Sequence, residues 1–260
     1  MELTIIGCSG SLSGPNSTAS SYLVQAPHQG RTFSLVVDLG PGSTGRLFSV
    51  LDPATVDAIA ISHLHPDHCL DLTGFHIAAQ HSPTAPWKPV PLYGPPGTLE
   101  RITRAHDPSP DGTEPDDLGA SYAFTSWQRE QQIGPFMITT ELLAHPVPMF
   151  GMRIEADGVV LAYSGDTGPT DALIELARGA DLLLCESAFL EGNDNQPGVH
   201  LTGKQAAEHA RAAGASALMI THIPPWHSHD HVLADARPHY QGPISFAEPG
   251  VRTRVGTPQT

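Results

Sequence analysis

The sequence has few cysteines and no long apolar run. Its three cysteines, Cys8, Cys69 and Cys185, are far apart and form no C-x-x-C pair, which argues against a disulfide framework and favours a reducing compartment. No segment reaches the roughly 18 apolar residues of a membrane helix. The first residues also lack the basic and apolar regions of a secretory signal. We therefore expect a cytoplasmic protein with no membrane span.

Basic residues are also scarce. The chain has 13 Lys and Arg against 27 Asp and Glu, a formal net charge of −14. Such a charge opposes a large phosphate-binding surface, so no large nucleic-acid footprint is expected. A small phosphate ligand remains compatible with it, because a metal ion can dominate the charge of one pocket. No long linker divides the chain, which predicts a single domain over residues 1–260.

The apolar pattern predicts strands in the first half and alternating strands and helices in the second. This order is typical of a layered α/β (α+β) domain. The predicted strands are 3–7, 21–26, 33–38, 56–62, 136–143, 151–155, 159–163, 182–185 and 218–221. The predicted helices are 45–51, one from about 67 past 73, 170–178 with Thr170 as N-cap, and 202–213. Residues 107–119 form an acidic loop rich in proline and glycine.

Histidine is unusually frequent, with 15 residues, and several histidines directly follow predicted strands. These candidate metal ligands are His63, His65, Asp67, His68, His145, Asp166 and His222. Strand ends at one edge of a sheet can converge, and imidazole and carboxylate groups suit zinc, with manganese or iron as substitutes. His63 and His65 can reach one ion, and Asp67 and His68 a second. The alternative is a solvated polar loop whose histidines only form hydrogen bonds.

The segment His63-Leu64-His65-Pro66-Asp67-His68, followed by His145, Ser164-Gly165-Asp166-Thr167 and Thr221-His222, resembles the metallo-β-lactamase-fold hydrolases. That resemblance implies a four-layer αββα sandwich with two Zn²⁺ ions. One ion would bind His63, His65 and His145, the other Asp67, His68 and His222, and Asp166 would bridge them. True β-lactamases lack a histidine at the position of His68 and carry a cysteine at that of Asp166, so antibiotic hydrolysis is not expected.

Two further segments resemble the tRNase Z-like branch of that family. They are Cys185-Glu186-Ser187-Ala188-Phe189 and His200-Leu201-Thr202. The resemblance implies that His200, oriented by Glu186, protonates the leaving oxygen. From the residues alone, the alternative for Glu186 is a cap after a strand, and that for His200 is a surface histidine beside a helix N-cap.

Longer stretches resemble actinobacterial phosphodiesterases that degrade cyclic nucleotides. They include Ile6-Gly7-Cys8-Ser9-Gly10-Ser11, Leu161-Ala162-Tyr163-Ser164-Gly165-Asp166-Thr167-Gly168 and Thr221-His222-Ile223-Pro224-Pro225-Trp226. This resemblance implies hydrolysis of 3′,5′-cyclic nucleotides, with cyclic AMP favoured, by metal-bound hydroxide that Asp67 orients for attack on phosphorus. It also implies a homodimer. The alternatives are a tRNA 3′-end endonuclease and a non-catalytic metal-binding scaffold.

Several other residues have more than one possible role. Asp38 and Asp71 either accept a hydrogen bond from a ligand histidine or serve only locally. Trp226 either stacks on a base or packs against the protein, and packing is slightly favoured. His227, His229 and His231 alternate with Ser228 and Asp230. They line the pocket rim, bind adventitious metal or lie in a solvated loop, and the solvated loop is preferred.

Overall fold

Two β-sheets face each other, and helices cover both outer surfaces. The computed structural model describes residues 1–107, 117–193 and 195–256. The strands of the first sheet are β1 (Glu2–Ser9), β2 (Thr18–Ala19), β3 (Ser21–His28), β4 (Arg31–Val37), β5 (Ala58–Ala60), β6 (Val90–Gly94), β7 (Tyr122–Ser126) and, last in the chain, β15 (Arg252–Arg254). Those of the second are β8 (Glu130–Ile133), β9 (Phe136–Leu142), β10 (Phe150–Ala156), β11 (Val159–Tyr163), β12 (Leu182–Glu186), β13 (Leu218–Thr221) and β14 (Ile244–Phe246).

The helices divide between the two outer faces. They are α1 (Ser43–Leu47), α2 (Pro66–Cys69), α3 (Leu72–His81), α4 (Thr98–His106), α5 (Asp171–Leu176), α6 (Gly203–Ala213) and α7 (His229–Ala236). Side chains of α3 and α4 pack on the first sheet, and those of α5, α6 and α7 on the second. The predicted αββα sandwich is therefore confirmed.

The strand order of each sheet places parallel strands at one end. The first sheet runs β15-β1-β3-β4-β5-β6-β7, with β2 beside β1, and the second runs β14-β13-β12-β11-β10-β9-β8. Strands β11 to β14 pair in parallel, as do β4 to β7. Their carboxyl ends therefore lie at a common edge of each sheet, where loops can present side chains rigidly.

The core between the sheets arises from alternation along each strand. Successive residues of a strand point to opposite faces. In β1, Leu3 and Ile5 therefore point into the core between the sheets, and Ile6 points outward against the helices. Tyr22 on β3 meets Tyr163 on β11 across this core, with ring centroids 5.1 Å apart. Central strands such as β5 and β13 are buried on both faces and therefore consist mostly of consecutive apolar residues.

Most predicted elements are present with shifted bounds. The strand predicted over 56–62 spans only Ala58–Ala60, since a 3₁₀ turn at Pro53–Thr55 precedes it. The helix predicted from 67 onward is two helices, α2 and α3, that are interrupted at Leu70 and Asp71. The helix predicted at 45–51 lies at Ser43–Leu47. Thr170 is the N-cap of α5, as predicted, and its hydroxyl accepts from the Ala172 N–H.

Other elements are absent from the sequence prediction or fall outside the described residues. The apolar pattern does not predict helices at α4 or α7, nor strands at β2, β6, β7, β8, β14 and β15. Of the predicted loop at 107–119, residues 108–116 lie outside the described part. None of the helices in the described ranges has the length and apolar character that crossing a lipid bilayer requires.

The chain after β4 packs directly on the backbone of α2. A Cβ on Gly40 would lie 2.0 Å from the Asp67 carbonyl oxygen and 2.7 Å from the Ala19 Cβ. Only glycine allows this approach, because neither the backbone oxygen nor the core side chain can move freely. In contrast, a Cβ on Gly45 in α1 would have no neighbour within 4 Å among the described residues.

We predict that Gly40→Ala lowers the free energy of unfolding by about 1–3 kcal/mol through overpacking. The matched change Gly45→Ala should leave it equal or raise it by up to about 1 kcal/mol, because alanine favours a helix. Urea denaturation of both variants measures the difference. Equal stability of the two variants would contradict the close approach of Gly40 to the Asp67 backbone.

Candidate metal centre

The predicted metal ligands follow the strand ends at the shared edge of the two sheets. Four of them, His63, His65, Asp67 and His68, follow β5, and Pro66 begins the short helix α2 that carries the last two. His145, Asp166 and His222 follow β9, β11 and β13 respectively. The structure thus brings together side chains that are far apart in the chain.

The seven side chains form two groups that share one carboxylate. Within each group the ligand atoms all lie within 4.8 Å of one another. The first group is His63, His65, His145 and Asp166, and the second is Asp67, His68, His222 and Asp166. This is the division that the family resemblance implies, although metal binding itself stays a prediction.

Distances inside the groups suit a small cation. The Nδ1 of His65 and the Nε2 of His145 face each other at 3.0 Å. The Nε2 atoms of His63 and His222 lie 3.6 and 3.4 Å from Asp166 Oδ2. Ligands at ~2.0–2.1 Å from a tetrahedral zinc ion are about 3.3 Å apart, so these spacings need little adjustment.

Each of four imidazoles is held by a contact on its other nitrogen. His68 Nδ1 lies 2.7 Å from Asp38 Oδ2, and His145 Nδ1 donates to the Val199 carbonyl at 2.9 Å. His63 Nδ1 lies 3.0 Å from the Ser62 hydroxyl, and His222 Nδ1 2.9 Å from the Ser20 hydroxyl. Such contacts fix the ring orientation and leave Nε2 for a metal.

The centre contains buried polar atoms that lack a hydrogen bond. They are His63 Nε2, His68 Nε2 and Asp166 Oδ1, and none has a hydrogen-bond partner among the described residues. His68 Nε2 and Asp166 Oδ1 approach each other to 3.1 Å, but without the alignment of a hydrogen bond. Burial of such groups without a partner is costly. A cation between them would satisfy all three, so the residues present fit the metal that the sequence predicts.

Four imidazoles of the centre are held in the neutral form. Burial lowers the pKa of His63, His65, His145 and His222, so these imidazoles are neutral at neutral pH and available as ligands.

Two other buried groups of the centre, His68 and Asp166, respond to each other's charge. Although burial opposes charge on His68, the carboxylates of Asp166 and Asp38 raise the pKa of His68 well above its usual value. Burial likewise opposes charge on Asp166, but the neighbouring imidazoles of His222 and His68 hold its pKa well below the usual range. Asp166 is therefore a carboxylate at neutral pH and can bind a cation.

Asp38 connects the metal loop to both sheets. Its carboxylate is fully buried and accepts from the Ser62 N–H at 2.7 Å, the Ser62 hydroxyl at 2.8 Å and the Tyr163 hydroxyl at 2.8 Å, besides contacting His68. Its φ of 57° lies in the left-handed region, as does the φ of 55° at His222. Left-handed non-glycine residues are uncommon and often mark functional sites. Of the two roles predicted for Asp38, the structure shows the contact with a candidate ligand, His68.

His200 and Glu186 lie together beside the two groups. Glu186 is fully buried and its Oε1 lies 2.8 Å from His200 Nδ1. The same carboxylate accepts from the Thr167 N–H at 2.8 Å and the Ala188 N–H at 2.9 Å. Glu186 therefore caps these loops and also orients His200, whose ring centroid lies 5.7 Å from that of His222.

The remaining candidate residues lie apart from the two groups. The Asp71 carboxylate accepts from the Thr44 N–H at 2.5 Å, so its role is local. Trp226 is 62% exposed, which does not support packing against the protein. His229 and His231 are exposed to solvent, as expected, but they belong to helix α7 rather than to a loop.

The cysteines show no sign of nucleophilic activation. All three are free thiols, and burial raises the pKa of Cys8 and Cys185 and that of Cys69 to about 12. A thiol with a raised pKa carries little thiolate at neutral pH. The chemistry of the centre therefore rests on its histidines and carboxylates.

Comparison with known proteins gives related chains of similar length. The model of the beta-lactamase superfamily domain matches residues 33–223. The uncharacterized protein Rv1339 of Mycobacterium tuberculosis is 42% identical over 94% of this chain and 88% of its own length. The crystal structure of the metallo-beta-lactamase fold protein YhfI from Bacillus subtilis has a TM-score of 0.84 and 27% identity, and covers 97% of this chain and 99% of that one.

A more distant structure shares the fold alone. The human tRNase Z short form superposes with a TM-score of 0.73 at 21% identity, over 99% of this chain and 100% of its own.

We predict that Asp38→Asn weakens metal binding about 10–100-fold, because an amide replaces an oxygen that faces His68 and accepts from Tyr163. Asparagine tolerates a left-handed φ, so the backbone is not disturbed. The control Asp71→Asn makes the same chemical change away from the centre and should retain the affinity. Competition with a chromogenic chelator measures both. Equal affinity in the two variants would contradict the role of Asp38.

Proposed function

Because the chain belongs to the beta-lactamase superfamily, we propose that it is a metal-dependent hydrolase, more narrowly a dinuclear-zinc phosphodiesterase that cleaves 3′,5′-cyclic nucleotides. The observation that carries the proposal is the His200–Glu186 pair beside two ligand groups that share Asp166. Two cations suit a phosphodiester, whose negative charge must be neutralised, and the histidine supplies the proton that its leaving oxygen needs.

When bound, the ions would polarise the phosphoryl oxygens and lower the pKa of a water molecule towards ~7. The residues of the chain hold the reacting groups in place. Asp67, whose Oδ2 lies 3.6 Å from His68 Nε2 and 3.7 Å from His222 Nε2, faces the interior of the centre and would orient the attacking water. As the bond from the water oxygen to phosphorus forms, the bond from phosphorus to the 3′ oxygen breaks.

His200 is suited to protonate the departing 3′ oxygen. Burial disfavours its charged form, but the Glu186 carboxylate outweighs burial and raises the pKa of His200 to about 9. The imidazole therefore holds a proton at neutral pH, which a general acid must do. After transfer the product is a nucleoside 5′-monophosphate, and His200 regains its proton from solvent.

A small substrate is favoured over RNA by the charge of the chain. The net charge of −14 with only 13 basic residues opposes extended contact with a polyanion. The likeness to the human tRNase Z short form concerns the fold alone. A tRNA 3′-end endonuclease is therefore the second candidate, and a non-catalytic scaffold the third.

The test is hydrolysis of a substrate panel by protein of measured metal content. We expect cyclic AMP to be converted to 5′-AMP, with a tRNA precursor left intact, by protein that holds two metal ions per chain. Cleavage of the tRNA precursor alone would support the endonuclease. Less than one ion per chain with no hydrolysis would support the scaffold.

We predict that His200→Ala lowers turnover about 10²–10⁴-fold while metal content is retained, because this residue donates a proton and belongs to neither ligand group. His231→Ala, which changes an exposed histidine on α7, is the matched control and should retain turnover. Mass spectrometry of bound metal and steady-state kinetics measure the two effects. Turnover of His200→Ala equal to the control would refute the general-acid role.

The rate should also depend on pH through His200. A general acid works only when protonated, so turnover is retained below its pKa and lost as pH rises through it. Glu186→Gln removes the charge that raises this pKa, and the loss should move to lower pH by about one unit or more. The profile of kcat against pH measures the shift, and His200→Ala should show no such loss. If kcat of Glu186→Gln falls at the same pH as kcat of the unchanged protein, the effect of Glu186 on the pKa of His200 is contradicted.

A further inference from the structure

A cleft of about 490 Å³ opens beside the metal centre at the same edge of the second sheet. Strands β13 and β14 pair in parallel, so their carboxyl ends are neighbours about 4.8 Å apart. His222 follows β13 and enters the metal centre, whereas Ala247 follows β14 and lines the cleft. The residue after His222, Ile223, also lines the cleft, so the cleft and the metal centre adjoin at this edge.

The rim loop, which we define as residues 10–17, borders both the centre and the cleft. The Ser11 N–H lies 3.4 Å from His222 Nε2. On its other side, a Cβ on Gly14 would lie 3.0 Å from Pro225 and 3.1 Å from the Ser9 hydroxyl, and both of these residues line the cleft. The loop therefore forms a common border between the reacting centre and the cleft.

The cleft has apolar walls and a buried polar group without a partner. Ile223, Pro224, Pro225 and Pro249 line it, and rigid proline rings suit a flat apolar ligand face. Ser9 is only 5% exposed, and its hydroxyl has no hydrogen-bond partner in the described ranges. Such a group is costly unless a ligand or water bonds to it, so it points to a ligand with a polar edge.

The charges at the rim of the cleft favour a neutral occupant. Arg46 and Glu248 both line it, and neither side chain forms a hydrogen bond or ion pair with another described residue. Burial lowers the pKa of His227, which also lines the cleft, so this imidazole adds no charge at neutral pH. An anion would be attracted by Arg46 but repelled by Glu248. A cation would be attracted by Glu248 but repelled by Arg46. A neutral heterocycle with both donors and acceptors on its edge can use both side chains, together with Asn16.

We infer that this cleft binds the nucleoside part of the substrate, so that the base is held at the β13–β14 edge while the phosphodiester lies in the metal centre. The inference rests on the proposed function for its substrate, but it assigns residues outside the two ligand groups. Binding energy from this non-reacting part would position phosphorus for attack.

The test narrows the cleft without changing the metal centre. Asn16→Trp places a large side chain at the exposed rim, and Glu248→Gln removes one rim charge. Gln241→Trp, before the other end of β14, is the matched control. We expect the ratio of kcat/KM for cyclic AMP to that for methyl 4-nitrophenyl phosphate to fall about tenfold in Asn16→Trp, equivalent to ~1.4 kcal/mol. A ratio equal to that of Gln241→Trp would overturn the inference.

A binding measurement separates this inference from the proposed function. Adenosine contains the nucleoside and lacks the phosphate, so calorimetry with the holoenzyme reports on the cleft alone. We expect binding that weakens in Asn16→Trp and Glu248→Gln but not in the control. Binding of this pattern with no cyclic AMP hydrolysis would refute the proposed reaction and support the cleft. Cyclic AMP hydrolysis with no such binding would support the reaction and overturn the cleft.

Discussion

The carboxylate of Asp166 is the point on which the centre depends. It is buried at the edge of the sandwich, and imidazoles of both ligand groups face it. No described residue forms a hydrogen bond with Asp166 Oδ1, His63 Nε2 or His68 Nε2. An arrangement of this kind is stable only when positive charge lies between the groups. A metal cation provides this charge, and a proton bound to His68 provides part of it.

The fold supplies this arrangement through its strand ends. Asp38 binds the loop after β5 to both sheets, because it contacts Ser62, His68 and Tyr163. Gly40 lets the chain after β4 approach the backbone of α2. The positions of the ligands therefore depend on the packing of two sheets rather than on any one loop.

The sequence predicts the fold class and which side chains meet at the edge of the sandwich, but not every contact that holds them there. Candidate ligands such as His145 and His222 can be found because each follows a predicted strand, and the structure brings all seven candidates together. The roles of Asp38 and Asp71 cannot be separated in this way, since only tertiary contacts show that one faces His68 and the other Thr44.

Short elements cannot be predicted from the sequence pattern. Strand β14 has only three residues, too few for its apolar-polar-apolar order to indicate a strand, and its pairing depends on β13 and the adjacent core. The cleft at its end cannot be predicted from the sequence for the same reason, because it forms only where the ends of β1, β13 and β14 meet. The break between α2 and α3 is hidden as well, since Asp71 there continues a plausible helical sequence and its contact to Thr44 is tertiary.

The dinuclear centre is tested most directly by anomalous diffraction at the zinc absorption edge, from crystals of the zinc-loaded protein. We expect two anomalous peaks on either side of the Asp166 carboxylate, one near His63, His65 and His145 and one near Asp67, His68 and His222. A single peak, or peaks that contact none of these side chains, would contradict a centre of two ions that share Asp166.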